Sequence, residues 1–293
     1  MSILEWLASR NNSKQVASDE RLNIPGNLWV KCFACKSTLY TKDLEENLKV
    51  CSHCGYHFRL SAEERIAMTV DPGSFEELHD NLEATDLLNF TDTRPYKLRL
   101  KESQEKTNLR DAVLCGQATL QGHPVTLAVM DFGFMGGSMG AVVGEKITRT
   151  IDTAISQKLP HVTITSSGGA RMQEGIFSLM QMAKTASALG HLRLANLPHL
   201  VLLTDPTMGG TTASFAMLGD IHIAEKGALV GFAGPRVIEQ TIRQKLPKGF
   251  QTAEYLLAHG MVDLVLARRD IPTHLGKLLG LLHQPLREEI RHG

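Results

Sequence analysis

From Asp111 onward, short apolar runs alternate with longer amphipathic stretches. Ala112–Leu120 and Pro124–Asp131 read as strands joined by a turn at Gln121-Gly122-His123, which makes a hairpin. Ala141–Gln157 places Val142, Ile147, Ile151 and Ile155 on one helical face. His161–Thr165 and His199–Thr204 are β-type runs, each followed by a glycine pair and then a helical pattern, Gln173–Leu189 and Thr211–Leu218. Ile221–Ala224 and Leu229–Ala233 read as short strands. Pro235 suits the first turn of a helix running to Leu246. Thr252–His259 is a helix ended by Gly260, Val262–Ala267 a last apolar run, and Pro272–Leu282 a closing helix. Repeated strand-then-helix with apolar strands predicts an α/β fold whose largely parallel sheet is covered by helices.

Before Asp111 the pattern is different. Residues 1–27 are polar apart from a patch near the start, and predict a short helix over 3–9 and a flexible arm. Residues 28–60 form a cysteine-bearing unit. Residues 61–110 form a helical connector, in which Ser61-Ala-Glu-Glu64 is a capping-box pattern. Asp71-Pro-Gly-Ser ends that helix. Phe75–Leu88 is expected to be helical despite irregular apolar spacing, and the strongly polar Tyr96–Asn108 is expected to be an exposed helix. The α/β domain is expected to span 111–283, with a tail over 284–293.

Composition narrows this picture only in places. At 293 residues the chain can bury a sizeable core and hold more than one domain. Lys plus Arg balance Asp plus Glu at 31 each, so net charge argues neither for nor against nucleic acid. No apolar run approaches the roughly 20 residues of a membrane helix, so no membrane role is expected. The start has a short apolar patch broken by Glu5, without a basic leader or a full apolar segment. No secretory signal is expected, and a cytoplasmic location is the default.

Four of the five cysteines form two C-x-x-C pairs, Cys32/Cys35 and Cys51/Cys54, with fifteen residues between them. This spacing predicts a four-cysteine zinc ribbon holding one structural Zn2+. Four protein ligands close the site, and the metal supplies folding free energy that so short a segment lacks. His53 and His57 are alternative ligands that four thiolates leave unneeded. Cys115 reads as a buried apolar residue of its strand. A second reading of the ribbon is contact with nucleic acid. Lys31, Lys36, Lys42, Lys49 and Arg59 are interleaved with Phe33, Tyr40, Tyr56 and Phe58, a mixture that can grip a backbone and stack on bases. Asp43, Glu45 and Glu46 dilute that charge, and a solvated face is the simpler alternative.

The chemistry centres on Ser167-Gly168-Gly169-Ala170-Arg171 and on Met208-Gly209-Gly210-Thr211-Thr212. A glycine pair at a strand end lets another group approach the main chain, and a helix start offers free N–H groups. Such a place suits an anion or a carbonyl oxygen becoming one. The alternative is two turns whose glycines serve packing alone. The loop Gly133–Gly140 holds no phosphate-binding pattern of the G-x-x-x-x-G-K-[ST] kind and no clean G-x-G-x-x-G unit.

Ser167–Gly175, Gly209–Asp220, Gly231–Thr241 and Phe132–Gly140 together carry a family likeness that runs from about Leu28 to about Leu266. The chain resembles the beta subunit of bacterial acetyl-CoA carboxylase carboxyltransferase. The resemblance implies a crotonase-like (ClpP/crotonase) ββα spiral core behind an N-terminal four-cysteine zinc ribbon. It implies transfer of a carboxyl group from N1 of carboxybiotin to the α-carbon of acetyl-CoA, giving malonyl-CoA for fatty acid synthesis. Carboxybiotin would come from a separate biotin carboxyl carrier protein, since no Met-Lys-Met attachment sequence is present here. A homologous alpha subunit, expected in an α2β2 assembly, would complete the active site.

On this reading the catalytic groups are the amides around Gly209 and Gly210, with Gly168 and Gly169 contributing. The substrate contacts are Arg171, Ala170, Met208 and Arg236. Arg171 and Arg236 each have an alternative role, bracing a loop by a salt bridge. The base is biotin N1, with Glu145, Glu174 and Asp220 as fallback bases whose simpler reading is structural. Two other functions stay open: a zinc-ribbon nucleic-acid binder on a scaffold, and another reaction on coenzyme A thioesters. A hydratase would need paired carboxylates that Thr211-Thr-Ala-Ser214 does not offer. A decarboxylase would use the same oxyanion site.

Overall fold

The computed structural model describes residues 28–283. The arm at 1–27, with its expected helix, and the tail at 284–293 lie outside the described residues. The ribbon opens with β1 (Trp29–Lys31), which pairs antiparallel with β2 (Thr38–Tyr40) in the register Trp29↔Tyr40. A short helix that the pattern did not foretell, α1 (Thr41–Glu46), follows. Each cysteine pair sits in a tight turn: Lys36 N–H donates to the Cys32 carbonyl at 3.0 Å and Gly55 N–H to the Cys51 carbonyl at 2.8 Å.

The capping box forms as expected at α2 (Ala62–Thr69). Ser61 Oγ accepts from Glu64 N–H, and the Glu64 carboxylate accepts from Ser61 N–H. The helix expected over Phe75–Leu88 does not form. That segment is irregular except for a two-residue edge strand, β3 (Glu76–Glu77). Its apolar residues never settle into a 3.6 period, so no helical face exists to bury. The Phe75 ring instead fills the space beside Gly116, where a Cβ would lie 2.5 Å from it. Helix α3 (Tyr96–Thr107) appears where expected and is mostly exposed, but its first residue, Tyr96, is fully buried.

The hairpin is β4 (Val113–Leu120) and β5 (His123–Met130). Gln121 and Gly122 both have positive φ, +52° and +78°, the signature of a type I′ turn matched to strand twist. Helix α4 (Ala141–Gln157) matches its expected bounds. Strand β6 (His161–Ser167) is followed by α5 (Ile176–Leu194), which starts three residues later and ends five later than its pattern suggested. Strand β7 runs His199–Met208, four residues beyond expectation, through a cis Asp205–Pro206 bond. The helix expected over 211–218 is only one turn, α6 (Gly209–Thr212), with a 3-10 turn at Phe215–Met217. The remaining elements are β8 (Ile221–Glu225), β9 (Val230–Gly231), α7 (Pro235–Ile242), α8 (Ala253–Ala258), β10 (Leu264–Leu266) and α9 (Ile271–Leu282).

The main sheet has the order β10-β8-β7-β6-β5-β4-β3, with β9 beside the end of β7. The pairs from β5 to β10 are parallel and the two nearer β3 are antiparallel, as the strand-helix alternation predicts. Every residue of β6 is buried, because helices cover both faces of a parallel sheet. Strands β6 and β7 end together in the register Ser167↔Thr207, which delivers the two glycine pairs to one place.

Candidate active site and metal centre

The two glycine pairs meet back to back. A Cβ on Gly169 would lie 3.2 Å from Gly209 Cα, and one on Gly209 would lie 3.1 Å from Gly169 Cα. Both residues have positive φ, +117° and +60°, so neither the contact nor the backbone tolerates a side chain. A third backbone joins them, since a Cβ on Gly137 would collide with the Ser166 carbonyl.

The N–H groups of these residues differ in their partners. Gly168 N–H donates to the Gly136 carbonyl at 2.8 Å, Gly169 N–H to Ser167 Oγ at 3.0 Å, and Gly209 N–H to the Phe232 carbonyl at 2.9 Å. Three of the four amides expected to be donors are thus already used inside the protein. Gly210 N–H has no acceptor among the described residues, and neither does Ala170 N–H. These two lie side by side: a Cβ on Gly210 would be 3.6 Å from Ala170 N and 3.4 Å from Ala170 Cβ. Met208 is buried at the end of β7, and Met182 Sδ would lie 3.2 Å from a Cβ on Gly210. Because α6 is a single turn, the site rests on two placed amides and not on a long helix dipole.

Arg171 is not a surface anchor for a phosphate. Its side chain is fully buried. Nη1 and Nη2 donate to the two Asp111 carboxylate oxygens at 2.9 and 2.6 Å. Nη2 also reaches the Ser138 carbonyl at 2.7 Å, Nε reaches Ser138 Oγ at 3.0 Å, and Nη1 reaches the Tyr96 hydroxyl at 3.3 Å. Burial acts to lower its pKa, but the Asp111 carboxylate outweighs burial and the guanidinium is held charged. This corrects the substrate-contact expectation in favour of the bracing alternative. Arg236 differs: it is exposed at the start of α7 and has no ion pair among the described residues. Tyr96 and Asp111 escaped notice in the sequence, where a tyrosine opening a polar helix and an aspartate before a strand carry no signal.

In the ribbon the four Sγ atoms lie within 4.8 Å of one another, with Cys32–Cys54 at 3.7 Å and Cys35–Cys51 at 3.8 Å. A zinc tetrahedron with bonds of about 2.3 Å has edges of about 3.8 Å, so the thiols fit the ion. Cys32, Cys35, Cys51 and Cys54 would hold it as thiolates, and it would tie the two turns together. His57 is engaged elsewhere, with Nδ1 2.9 Å from the Lys226 carbonyl.

Two family models match the chain: the carboxyl transferase domain over residues 58–249 and the acetyl-CoA carboxylase zinc finger domain over 29–54. The acetyl-coenzyme A carboxylase carboxyl transferase subunit beta of Citrifermentans bemidjiense is 51% identical over 96% of this chain and 100% of its own length. That of Desulforamulus reducens is 57% identical over 90% of each. The chain belongs to the acetyl-CoA carboxylase carboxyl transferase beta-subunit family. Among solved structures, transcarboxylase 12S with methylmalonyl-coenzyme A bound is 28% identical with a TM-score of 0.64, over 77% of this chain and 42% of that one. The Pseudomonas malonate decarboxylase MdcD-MdcE hetero-dimer is 25% identical with a TM-score of 0.57, over 74% of this chain and 86% of that one. The fold is the crotonase-like α/β one with an N-terminal zinc ribbon.

Within this beta-subunit fold the three fallback bases are all committed. Glu145 pairs with Arg149 at 2.6 Å and with Lys184, and the Lys184 hydrogen bond holds its carboxyl below the usual range. Asp220 accepts from His199 N–H at 2.8 Å. Glu174 is buried, accepting from the Tyr96 hydroxyl and from Ala141 N–H, each at 2.6 Å. Part of the ribbon's basic and aromatic set is likewise engaged within the chain, while Lys31, Phe33, Lys36 and Lys42 are exposed. Lys49 pairs with Glu64, Arg59 pairs with Asp205 at 3.2 Å and covers the Phe132 ring, and Phe58 is buried. Among the described residues no helix is long and apolar enough to cross a membrane.

Proposed function

We propose that this chain performs the carboxyl transfer of acetyl-CoA carboxylase, from carboxybiotin on a separate carrier protein to acetyl-CoA, giving malonyl-CoA. The observation that carries this reading is the adjacent pair of amides at Ala170 and Gly210, without an acceptor among the described residues, in a chain of this family. An acetyl α-carbon gives up its proton only if the thioester oxygen can carry enolate charge. Two amide donors aimed at that oxygen strengthen as the charge develops. Gly168, Gly169 and Gly209 serve by holding those donors in place. Carboxybiotin supplies the carboxyl group and, once its C–N bond breaks, the nitrogen that takes the α-proton as the new C–C bond forms. The commitment of Glu145, Glu174 and Asp220 to structural partners supports a reaction without a side-chain base. Arg236 is the cation we assign to a coenzyme A phosphate, and Met208 lines the floor of the site.

The partner is a homologous alpha subunit in an α2β2 assembly. Met172, Ile176, Phe177, Leu179 and Met180 form an exposed apolar face at the start of α5, larger than scattered surface residues explain. The same helix places Met182 against Gly210, so that face borders the site. A cytoplasmic setting suits four thiols needed as metal ligands.

The test is malonyl-CoA formation by the complex reconstituted with alpha subunit and carrier. Gly210→Val should lower turnover by at least the roughly 10²–10³-fold typical of one lost oxyanion donor. Its cost is steric, since Gly210 has no left-handed φ while Met182 Sδ would lie 3.2 Å from the new Cβ. Glu145→Gln and Asp220→Asn should stay near normal. The opposite pattern in folded complexes would mean a side-chain base and would defeat the reading. Decarboxylation of malonyl-CoA with no transfer to or from biotin would move the chain toward the decarboxylases.

A further inference from the structure

Behind the two amides lies more buried polarity than a turn requires. Arg171, Asp111 and Glu174 put one cation and two carboxylates into a nearly dry place. The second carboxylate is balanced by the start of α4. Glu174 accepts from Ala141 N–H, and it fills the space beside Gly140, where a Cβ would lie 2.6 Å from Glu174 Oε1. One hydroxyl connects the ions: Tyr96 Oη donates to Glu174 Oε1 at 2.6 Å and accepts from Arg171 Nη1 at 3.3 Å. Tyr96 comes from α3, outside the sheet, in a stretch to which the sequence assigned no function.

From this cluster the route to Ala170 is short. Arg171 holds Ser138 through both its carbonyl and its hydroxyl. The next residue, Met139, donates to the Gly169 carbonyl at 2.8 Å and accepts from Arg171 N–H at 2.9 Å. Those two bonds bracket Ala170 on either side, so its peptide plane follows the position of segment 138–139.

We propose that Tyr96 is a positioning residue for carboxyl transfer: its hydroxyl locks Glu174 and Arg171, and through Ser138 and Met139 they aim the Ala170 N–H at the thioester oxygen. This rests on the oxyanion reading above. Tyr96 does not touch the substrate in this arrangement. Burial pushes its pKa up, so the phenol stays protonated and able to donate. The device explains why an arginine following the glycine pair is turned inward. An outward arginine would add one contact to a phosphate, whereas an inward one fixes the amide on which the chemistry depends.

Tyr96→Phe removes one oxygen and keeps the ring. In the reconstituted complex it should lower kcat about tenfold while KM for acetyl-CoA stays within about twofold, the split expected when only transition-state contacts weaken. Infrared difference spectra of bound acetyl-CoA should show the thioester carbonyl band moving back toward its solution frequency. Glu174→Gln, which keeps shape, should give the same split and takes over if the phenylalanine variant fails to assemble. Normal kcat with an unmoved carbonyl band, or equal losses in binding and turnover, overturns the proposal. Gly210→Val measured beside it separates the two ideas. If only Gly210→Val impairs turnover, the oxyanion reading stands and the positioning role of Tyr96 is wrong. If neither does, the oxyanion reading itself fails.

Discussion

The ribbon and the sheet are held together by different means. The sheet buries strand after strand of valine, leucine and isoleucine, and its helices have faces to place against them. The ribbon's buried apolar cluster is Cys32, Leu39, Leu44, Cys51 and Phe58, and two of those five belong to the metal-binding set. Burial at about 25 cal/mol per Å² cannot offset the ordering of some thirty residues on so small a core. The ribbon therefore depends on a metal and on polar docking. Arg268 donates to the Leu48 and Phe58 carbonyls at 2.6 and 2.7 Å, and Glu225 lies between Arg65 and Arg268 with contacts of 2.8 to 3.0 Å. The contrast teaches that an α/β core can fold on apolar surface alone, while a small appendage acquires its order from bonds of high individual strength. The buried Arg65-Glu225-Arg268 group fixes where the ribbon sits. By itself it is weak evidence of net stability.

The largest effect should come from the metal. Cys51→Ala should abolish the expected one zinc per chain and unfold the ribbon, since structural zinc supplies about 10–16 kcal/mol in small zinc domains. The sheet's circular dichroism should persist. Elemental analysis showing full zinc in that variant would remove the contrast. Next is the dock. Glu225→Ala strands two buried guanidinium groups and should cost about 3–5 kcal/mol. Zinc should be retained while proteolysis opens the link around Arg59, and simultaneous loss of zinc would mean that dock and ribbon are one unit. In the sheet, Leu127→Ala should lower the main unfolding transition by about 2–5 kcal/mol and leave zinc content unchanged.

The smallest effect is pH, and it should divide the regions. His199 is fully buried, and burial lowers its pKa to about 4. His161 beside it is pushed well below its ordinary value, again by burial. A histidine with a depressed folded pKa leaves the unfolded chain binding more protons. Its stabilising contribution is complete above about 6.5 and is lost as pH falls toward 4, each tenfold difference in proton affinity between the folded and unfolded chain being worth about 1.4 kcal/mol. Glu225 is held at about 2: burial would raise it, but Arg65 and Arg268 prevail. Its contribution is present above about 4.5 and lost only as pH falls toward 2. Acid titration monitored in both regions should thus weaken the sheet first and the dock later. Replacing His199 by Gln should flatten the earlier phase. A simultaneous loss, or an unchanged profile in the variant, would show that these groups do not control it.

Much was legible where the signal was local. Cysteine spacing announced the ribbon, Ser61 and Glu64 announced a helix start, and the strand-glycine-glycine pattern marked two strand ends that meet in space. Those features depend on residues a few positions apart, and backbone geometry converts such spacing directly into structure. What tertiary structure alone decided was which groups are free. Gly168, Gly169 and Gly210 look alike along the chain, yet Gly136 and Ser167 occupy the first two amides and no acceptor among the described residues occupies the third. Phe232, twenty-three residues on, takes Gly209 because β9 lies beside the end of β7. Arg171 turned inward because Asp111, sixty residues earlier, opens the strand hairpin beneath it. Within the irregular segment 75–88 only Glu76–Glu77 became an edge strand, beside Gly116, whose missing side chain leaves room for the Phe75 ring. Hydrogen bonds and burial are satisfied between neighbours in space, and strand order, not sequence distance, determines who those neighbours are.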